Sequence, residues 1–313
     1  MKHSSIIPAF LFAVILSALV EVGAREVQQK PPAVDYADRQ PPPVSAEVRR
    51  DMEARLAEAR RNYEAHPRDA EAIIWLGRRL AYLGRFREAI ESYTEGIKKF
   101  PSDARFYRHR GHRYITLRRF DLAIDDLTKA AKLIKGKPDE VEPDGQPNAR
   151  NIPTSTLQFN IWYHLGLAQY LTGDTNEALR SYRRCLEVSE NPDSLVATTH
   201  WLYMTLRRMS KERDAQEELE PISEGMDIIE NTGYYRLLLM YRGLISPEKM
   251  LAESRKQPDS SASHSVLYGI ANWYLYNGRR EEALKIFREI VTGDQWTSFG
   301  YIAAEADLKR LSA

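Results

Sequence analysis

The chain has 313 residues, with 45 Lys and Arg against 44 Asp and Glu, and 43% of it is hydrophobic. So even a balance supplies no global field toward nucleic acid or an anionic membrane surface, while the apolar share is enough for a folded core. A single cysteine, Cys185, excludes an internal disulfide, so stability must come from packing alone.

The first residues read as an address. Met1-Lys2-His3 is a short basic start, Ile6 to Val20 is an apolar run, and Val22-Gly23-Ala24 places small residues ahead of a cleavage point after Ala24. This layout predicts a signal peptide over 1–24 and a periplasmic or secreted destination. The competing reading is a retained anchor, for which the run is short against the roughly 20 residues a bilayer requires. No Asn-x-Ser/Thr sequon occurs, which points to a bacterial envelope or secreted protein. Residues 25–44, with Pro31-Pro32 and Pro41-Pro42-Pro43, read as a disordered Pro-rich tether.

Helical periodicity starts after Ser45. Met52, Leu56, Ala59 and Tyr63 share one face, and Pro67 closes a leading helix over 45–67. Self-similarity then takes over. Ile73, Leu76, Gly77, Leu80, Ala89, Tyr93 and Pro101 set a register that Tyr107, Gly111, Tyr114, Ala123, Leu127 and Ala130 repeat 34 residues later. Trp162, Leu165, Gly166, Ala178, Tyr182 and Cys185 repeat it after an insertion. Leu202, Leu206, Ala215 and Leu219 form a weaker copy. The stretch around Tyr234, Leu237 and Tyr241 is degenerate, and Leu267, Ala271, Tyr274, Ala283 and Phe287 restore the pattern. Gly84, Gly173 and Gly278 each fall where one helix must hand over to the next, a place that favours positive φ.

These spacings resemble the tetratricopeptide repeat, a helix–turn–helix unit. The signal segment, the Trp201–Met209 run and the Phe299–Leu308 tail also look like bacterial members of unassigned activity. The resemblance implies an all-α, right-handed superhelical solenoid of about six units near 70–103, 104–137, 159–192, 196–229, 231–263 and 264–297. Residues 298–313 would form a C-terminal capping helix. It also implies a non-catalytic scaffold or adaptor that binds other proteins or peptides.

In such proteins the first helix of each unit lines a concave groove. Carried over position by position, the groove takes Arg78 and Tyr82 from the first unit and Arg105, Arg108, His109 and His112 from the second. Asn160, Tyr163, His164 and Tyr170 come from the third, His200, Trp201, Arg207 and Arg208 from the fourth, and Tyr268, Asn272 and Tyr276 from the last. Arg provides bidentate contacts to carboxylates, and Tyr and Trp provide rigid apolar area. The implied guest is an extended segment with acidic side chains or a free C-terminus. Ile74 and Arg78 stand where the Lys and Asn of the family's terminal-carboxylate grip belong. The four histidines leave a second reading open, a small-molecule or metal-binding groove.

The insertion 135–156 carries Pro138, Pro143, Pro147 and Pro153 with Asp139, Glu140, Glu142 and Asp144. Two expectations stand for it: an unstructured loop, or an acidic flap folded onto the arginines and histidines in competition with ligands. No phosphate loop, nucleophile elbow or paired metal motif occurs, and no cofactor is expected.

Overall fold

The computed structural model describes Met1 and residues 35–256 and 260–312. The expected signal peptide beyond Met1, and the tether as far as residue 34, lie outside the described residues. Fourteen α-helices and no β-strand form among the described residues. They are α1 (Ala46–Ala65), α2 (Ala70–Tyr82), α3 (Phe86–Lys99), α4 (Ala104–Thr116), α5 (Phe120–Ile134), α6 (Leu157–Thr172), α7 (Thr175–Glu187), α8 (Pro192–Arg208), α9 (Glu212–Glu217), α10 (Thr232–Tyr241), α11 (Pro247–Ser254), α12 (Ser261–Tyr276), α13 (Arg280–Val291) and α14 (Phe299–Ser312). None is long and apolar enough to cross a membrane.

Helix starts follow from local chemistry. The side chains of Ser45, Asp69, Asp103, Thr156, Asp174, Ser246 and Ser260 each accept from a free first-turn N–H. Asn191 and Ser194 form a reciprocal capping pair, with Pro192 in the first turn.

Hairpins α2–α3, α4–α5, α6–α7 and α12–α13 are held by the expected small-residue contacts. Gly77 faces the ring of Tyr93 so closely that a Cβ there would lie 2.3 Å from it, and Gly166 meets Tyr182 in the same way. Ala89, Ala123, Ala178, Ala215 and Ala283 are all fully buried. The all-α repeat architecture read from the sequence is the architecture observed.

The array curls further than a simple stack. α14 caps α12 and α13 but also reaches α6, and α12 touches α8 across the inside. The segment assigned to the tether is packed from Asp35 onward. Tyr36 lies 5.6 Å from the ring of Trp296, Gln40 O accepts from Trp296 Nε1 at 2.7 Å, and Arg87 binds Asp35 and Asp38. Tyr36, Asp35 and Asp38 have partners for their side chains, and those partners override a proline-rich composition.

Arg118 fastens this closure. It occupies the α4–α5 turn with φ +59°, where the first, third and sixth hairpins have glycine. Its Nε donates to Glu305 of α14 at 2.9 Å, its Nη2 to Trp296 O at 2.9 Å, and its guanidinium lies 3.8 Å from the Tyr36 ring centre. The backbone cost of a left-handed arginine is offset by contacts to both ends of the described chain.

Candidate functional site

The inner wall is built from the first helices of successive hairpins. On α2, Arg78 donates to Pro143 O at 2.8 Å and to Tyr82 Oη at 3.3 Å, and Arg79 donates to Gly145 O at 2.8 Å. On α4, Arg108 Nε stands 2.9 Å from a carboxylate oxygen of Glu142, which also accepts from Asn160 Nδ2 of α6 at 3.1 Å. The insertion is therefore an ordered acidic strap. Its base is tied by a bridge between Val141 and Thr156 and by Glu142 N donating to Ser155 O. Its far end bonds Asn148 to Glu230 at 2.8 Å and Arg150 to Asp227 at 2.7 Å. Burial pulls the Arg108 pKa down against the attraction of Glu142, whereas burial, Glu230 and Glu142 raise that of Asp144.

The second half of the wall is closed by the chain's own last helix. Arg208 of α8 donates to Asp307 of α14 at 2.8 Å and to Asn272 Oδ1 at 2.8 Å. Tyr268 Oη donates to Asp307 at 2.9 Å and lies 3.0 Å from Tyr170 Oη, a hydroxyl contact in which it can accept. Asp307 is only 2% exposed and also pairs with Arg310. Arg207 lies over the Tyr276 ring at 4.6 Å and reaches Tyr203 Oη and Asn277.

Histidines and aromatics fill the middle. His109 stacks on Tyr93, His112 sits 4.3 Å from His164 with Phe299 against both, and His200 lies between Tyr234 and Tyr241. Trp201 Nε1 donates to Tyr163 Oη at 2.8 Å. Burial, reinforced by Arg108 and Arg113, holds His109, His112 and His164 well below the usual imidazole range, and burial alone pushes His200 down to about 3. Among the described residues, no group of three His, Cys, Asp or Glu side chains could hold a metal ion. A cavity of about 360 Å³ remains, bordered by His112, Glu230, Tyr234, Ser298 and Phe299.

The sequence-derived residues do converge on one inner surface, but the surface differs from the open groove expected. Arg78, Arg108, His109, Asn160, Tyr163, His164, Tyr170, His200, Trp201, Arg207, Tyr268 and Asn272 are buried. Tyr82, His112, Arg208 and Tyr276 are half-buried, and Arg105 is engaged at the rim by Asp103 and Glu71. The physical reason is tight curvature: inner faces that approach one another must be dried and neutralised by the chain itself.

Among the participants that escaped the sequence reading are Arg79, Arg113, Arg118, Asp193, Glu305 and Asp307. Asp307 carried a faint signal, an acid beside the apolar positions Ile302, Ala303 and Ala306. Asp193 looked like an ordinary helix start, yet its carboxylate accepts from the backbone N–H groups of Ile229, Glu230 and Asn231, each at 2.8 Å.

Comparison with known proteins places the repeats. Family models described as tetratricopeptide repeat match residues 74–139, 159–192 and 265–292. The small glutamine-rich tetratricopeptide repeat-containing protein 2 of Saccharomyces cerevisiae is 28% identical over 100 residues, 32% of this chain and 23% of that protein. The BBSome complex member BBS4 of Bos taurus is 28% identical over 140 residues, 45% of this chain and 23% of that protein. The chain thus spans under a quarter of the length of these curated relatives. Among solved structures, YrrB, described as a TPR protein with an unusual peptide-binding site, aligns with a TM-score of 0.41 and 16% identity over 80% of this chain and 97% of its own. The Cut9–Hcn1 hetero-tetramer aligns at 0.47 and 17% over 84% and 40%.

Proposed function

We propose that this chain, which belongs to the tetratricopeptide repeat family, is an exported protein-binding scaffold whose α2–α4–α6 wall receives an extended acidic segment. Repeat arrays of this kind generally bind other proteins or peptides, and nothing in the inner network requires a catalytic role. The observation that carries the reading is Glu142, a carboxylate from an extended strand of chain held by Arg108 and Asn160. Around it Arg78 and Arg79 grip main-chain carbonyls rather than side chains, which suits a guest recognised by its backbone and its acids.

Isothermal titration with a ten-residue Asp/Glu-rich peptide tests this, with its Lys-substituted counterpart as control. The acidic peptide should bind and weaken with salt, and Arg78→Met should lower its affinity. Equal binding of the acidic and basic peptides by a folded protein would refute the reading. The export component predicts a mature protein beginning at Arg25; N-terminal sequencing of envelope and secreted fractions that finds Met1 would reject it.

A second reading, a small molecule in the cavity between His112, Tyr234 and Phe299, rests on that 360 Å³ space, which is at the small end of ligand-sized cavities. A thermal-shift response to small aromatic compounds that vanishes in Phe299→Ala would favour it.

A further inference from the structure

We infer that the strap from Asp139 to Thr154 is an internal stand-in for the guest, and that an external segment carrying an acid–x–acid pair binds by lifting it off the wall. This rests on the acidic-segment reading above and adds the regulation of that same site. The strap is held as a bound peptide would be held. Its prolines at 143, 147 and 153, with Pro138 just ahead of it, keep it extended and helix-free. Its carbonyls at Pro143 and Gly145 accept from Arg78 and Arg79, and its Glu142 carboxylate fills the Arg108–Asn160 position. Gly145 lies so close to Tyr82 that a Cβ would fall 1.7 Å from the hydroxyl, an approach open only to glycine.

Yet the strap matches the wall incompletely. Arg78, Arg79, Arg108 and Arg113 bring four guanidiniums to this region, and Glu142 is the single carboxylate in ion-pair contact with them among the described residues. The strap's neighbouring acid, Asp144, makes no ion pair with them, so a guest free to place both acids of such a pair on these guanidiniums satisfies more of that charge than the tethered strap does.

The two ends of the strap are fastened unequally. The base is stitched to Ser155 and Thr156 by main-chain contacts. The tip is latched by Arg150–Asp227 and Asn148–Glu230, both exposed. Exposed pairs of this kind hold weakly, so the strap opens from its tip, hinged at its base. A tethered competitor acts at an effective concentration on the order of millimolar, so an external peptide pays for every encounter with a closed wall.

The probe is a synthetic peptide reproducing residues 138–147, titrated into three folded full-length proteins whose helicity is checked by circular dichroism. These are the wild type, the latch variant Asn148→Ala/Arg150→Ala, and a variant with Glu142→Gln and residues 143–152 replaced by a four-residue glycine–serine turn. The latch variant should bind the peptide about tenfold tighter than wild type, and the turn variant tighter still. A peptide with Gln and Asn at the acidic positions should bind none of them. Peptide addition to the wild type should raise amide exchange across 139–152. Equal affinity for all three proteins would overturn the strap as competitor while leaving the acidic-segment reading intact. Absence of binding even to a folded turn variant would overturn both.

Discussion

Arg208 and Asp307, ninety-nine residues apart, meet through a two-pronged ion pair that fastens the last helix to the fourth hairpin. Asp307 is buried and the Arg208 side chain is only 13% exposed, and Tyr268 and Asn272 satisfy the groups left over. Truncating one partner strands the other in a dry site. Asp307→Ala should therefore cost about 3–5 kcal/mol in urea unfolding. The double variant Arg208→Met/Asp307→Leu should recover most of that loss. A single variant within about 1 kcal/mol of wild type would show that α14 is held by apolar packing alone.

Gly77→Ala sets two effects against each other. Alanine gains about 1 kcal/mol of helix propensity over glycine. Its Cβ would lie 2.3 Å from the buried ring of Tyr93, however, which fills the α2–α3 contact. Overpacking of this kind costs about 1–3 kcal/mol, and here it should win. Chemical denaturation should show a net loss that Tyr93→Leu relieves in the same chain; a stabilised Gly77→Ala would mean the hairpin has slack.

The inner histidines make stability pH-dependent. Their folded pKa values lie well below the roughly 6.5 of an unfolded histidine. Below that pH the unfolded chain binds protons that the folded chain refuses. Stability is thus intact above about 6.5 and erodes as pH falls toward the folded values, by up to about 1.4 kcal/mol per pH unit for each histidine. His200, stacked on Tyr234, gives the cleanest check. His200→Phe should flatten the slope of unfolding free energy between pH 6.5 and 5 by about one proton, and an unchanged slope would contradict the burial argument.

Asp193 organises the degenerate fifth unit by accepting from three consecutive amides at 2.8 Å. Its removal leaves those donors without a partner, at about 1–3 kcal/mol each for buried groups. Asp193→Ala should raise amide exchange over residues 226–241 well before it affects α2 to α5. Uniform protection across the chain would show that α10 is positioned by its leucines instead.

Cys185 occupies the small-residue position of α7, fully buried beside Thr198 and Ser189, and burial pushes its thiol up to about 12. A thiol reagent at pH 8 should leave it untouched in the folded protein and titrate one group in denaturant. Rapid labelling of the native chain would reveal an opening that the structure lacks.

The sequence by itself determined the hairpins. Recurring Gly, Ala and Tyr at fixed spacing act within about 34 residues, and capping residues such as Asp69 and Asp103 act within one turn, so one-dimensional periodicity reports them directly. It also named most residues of the inner wall, because the wall position within each unit follows from the same period. It did not determine what covers the wall. Whether Arg108 faces solvent or Glu142, and Arg208 a ligand or Asp307, depends on the sum of small rotations between successive hairpins. That sum has no local signature. Only when the array has curled far enough for α14 to reach α6, and for Tyr36 to reach Trp296, do the arginines find their acids. Tertiary structure alone decided that the basic wall is met first by the chain's own carboxylates.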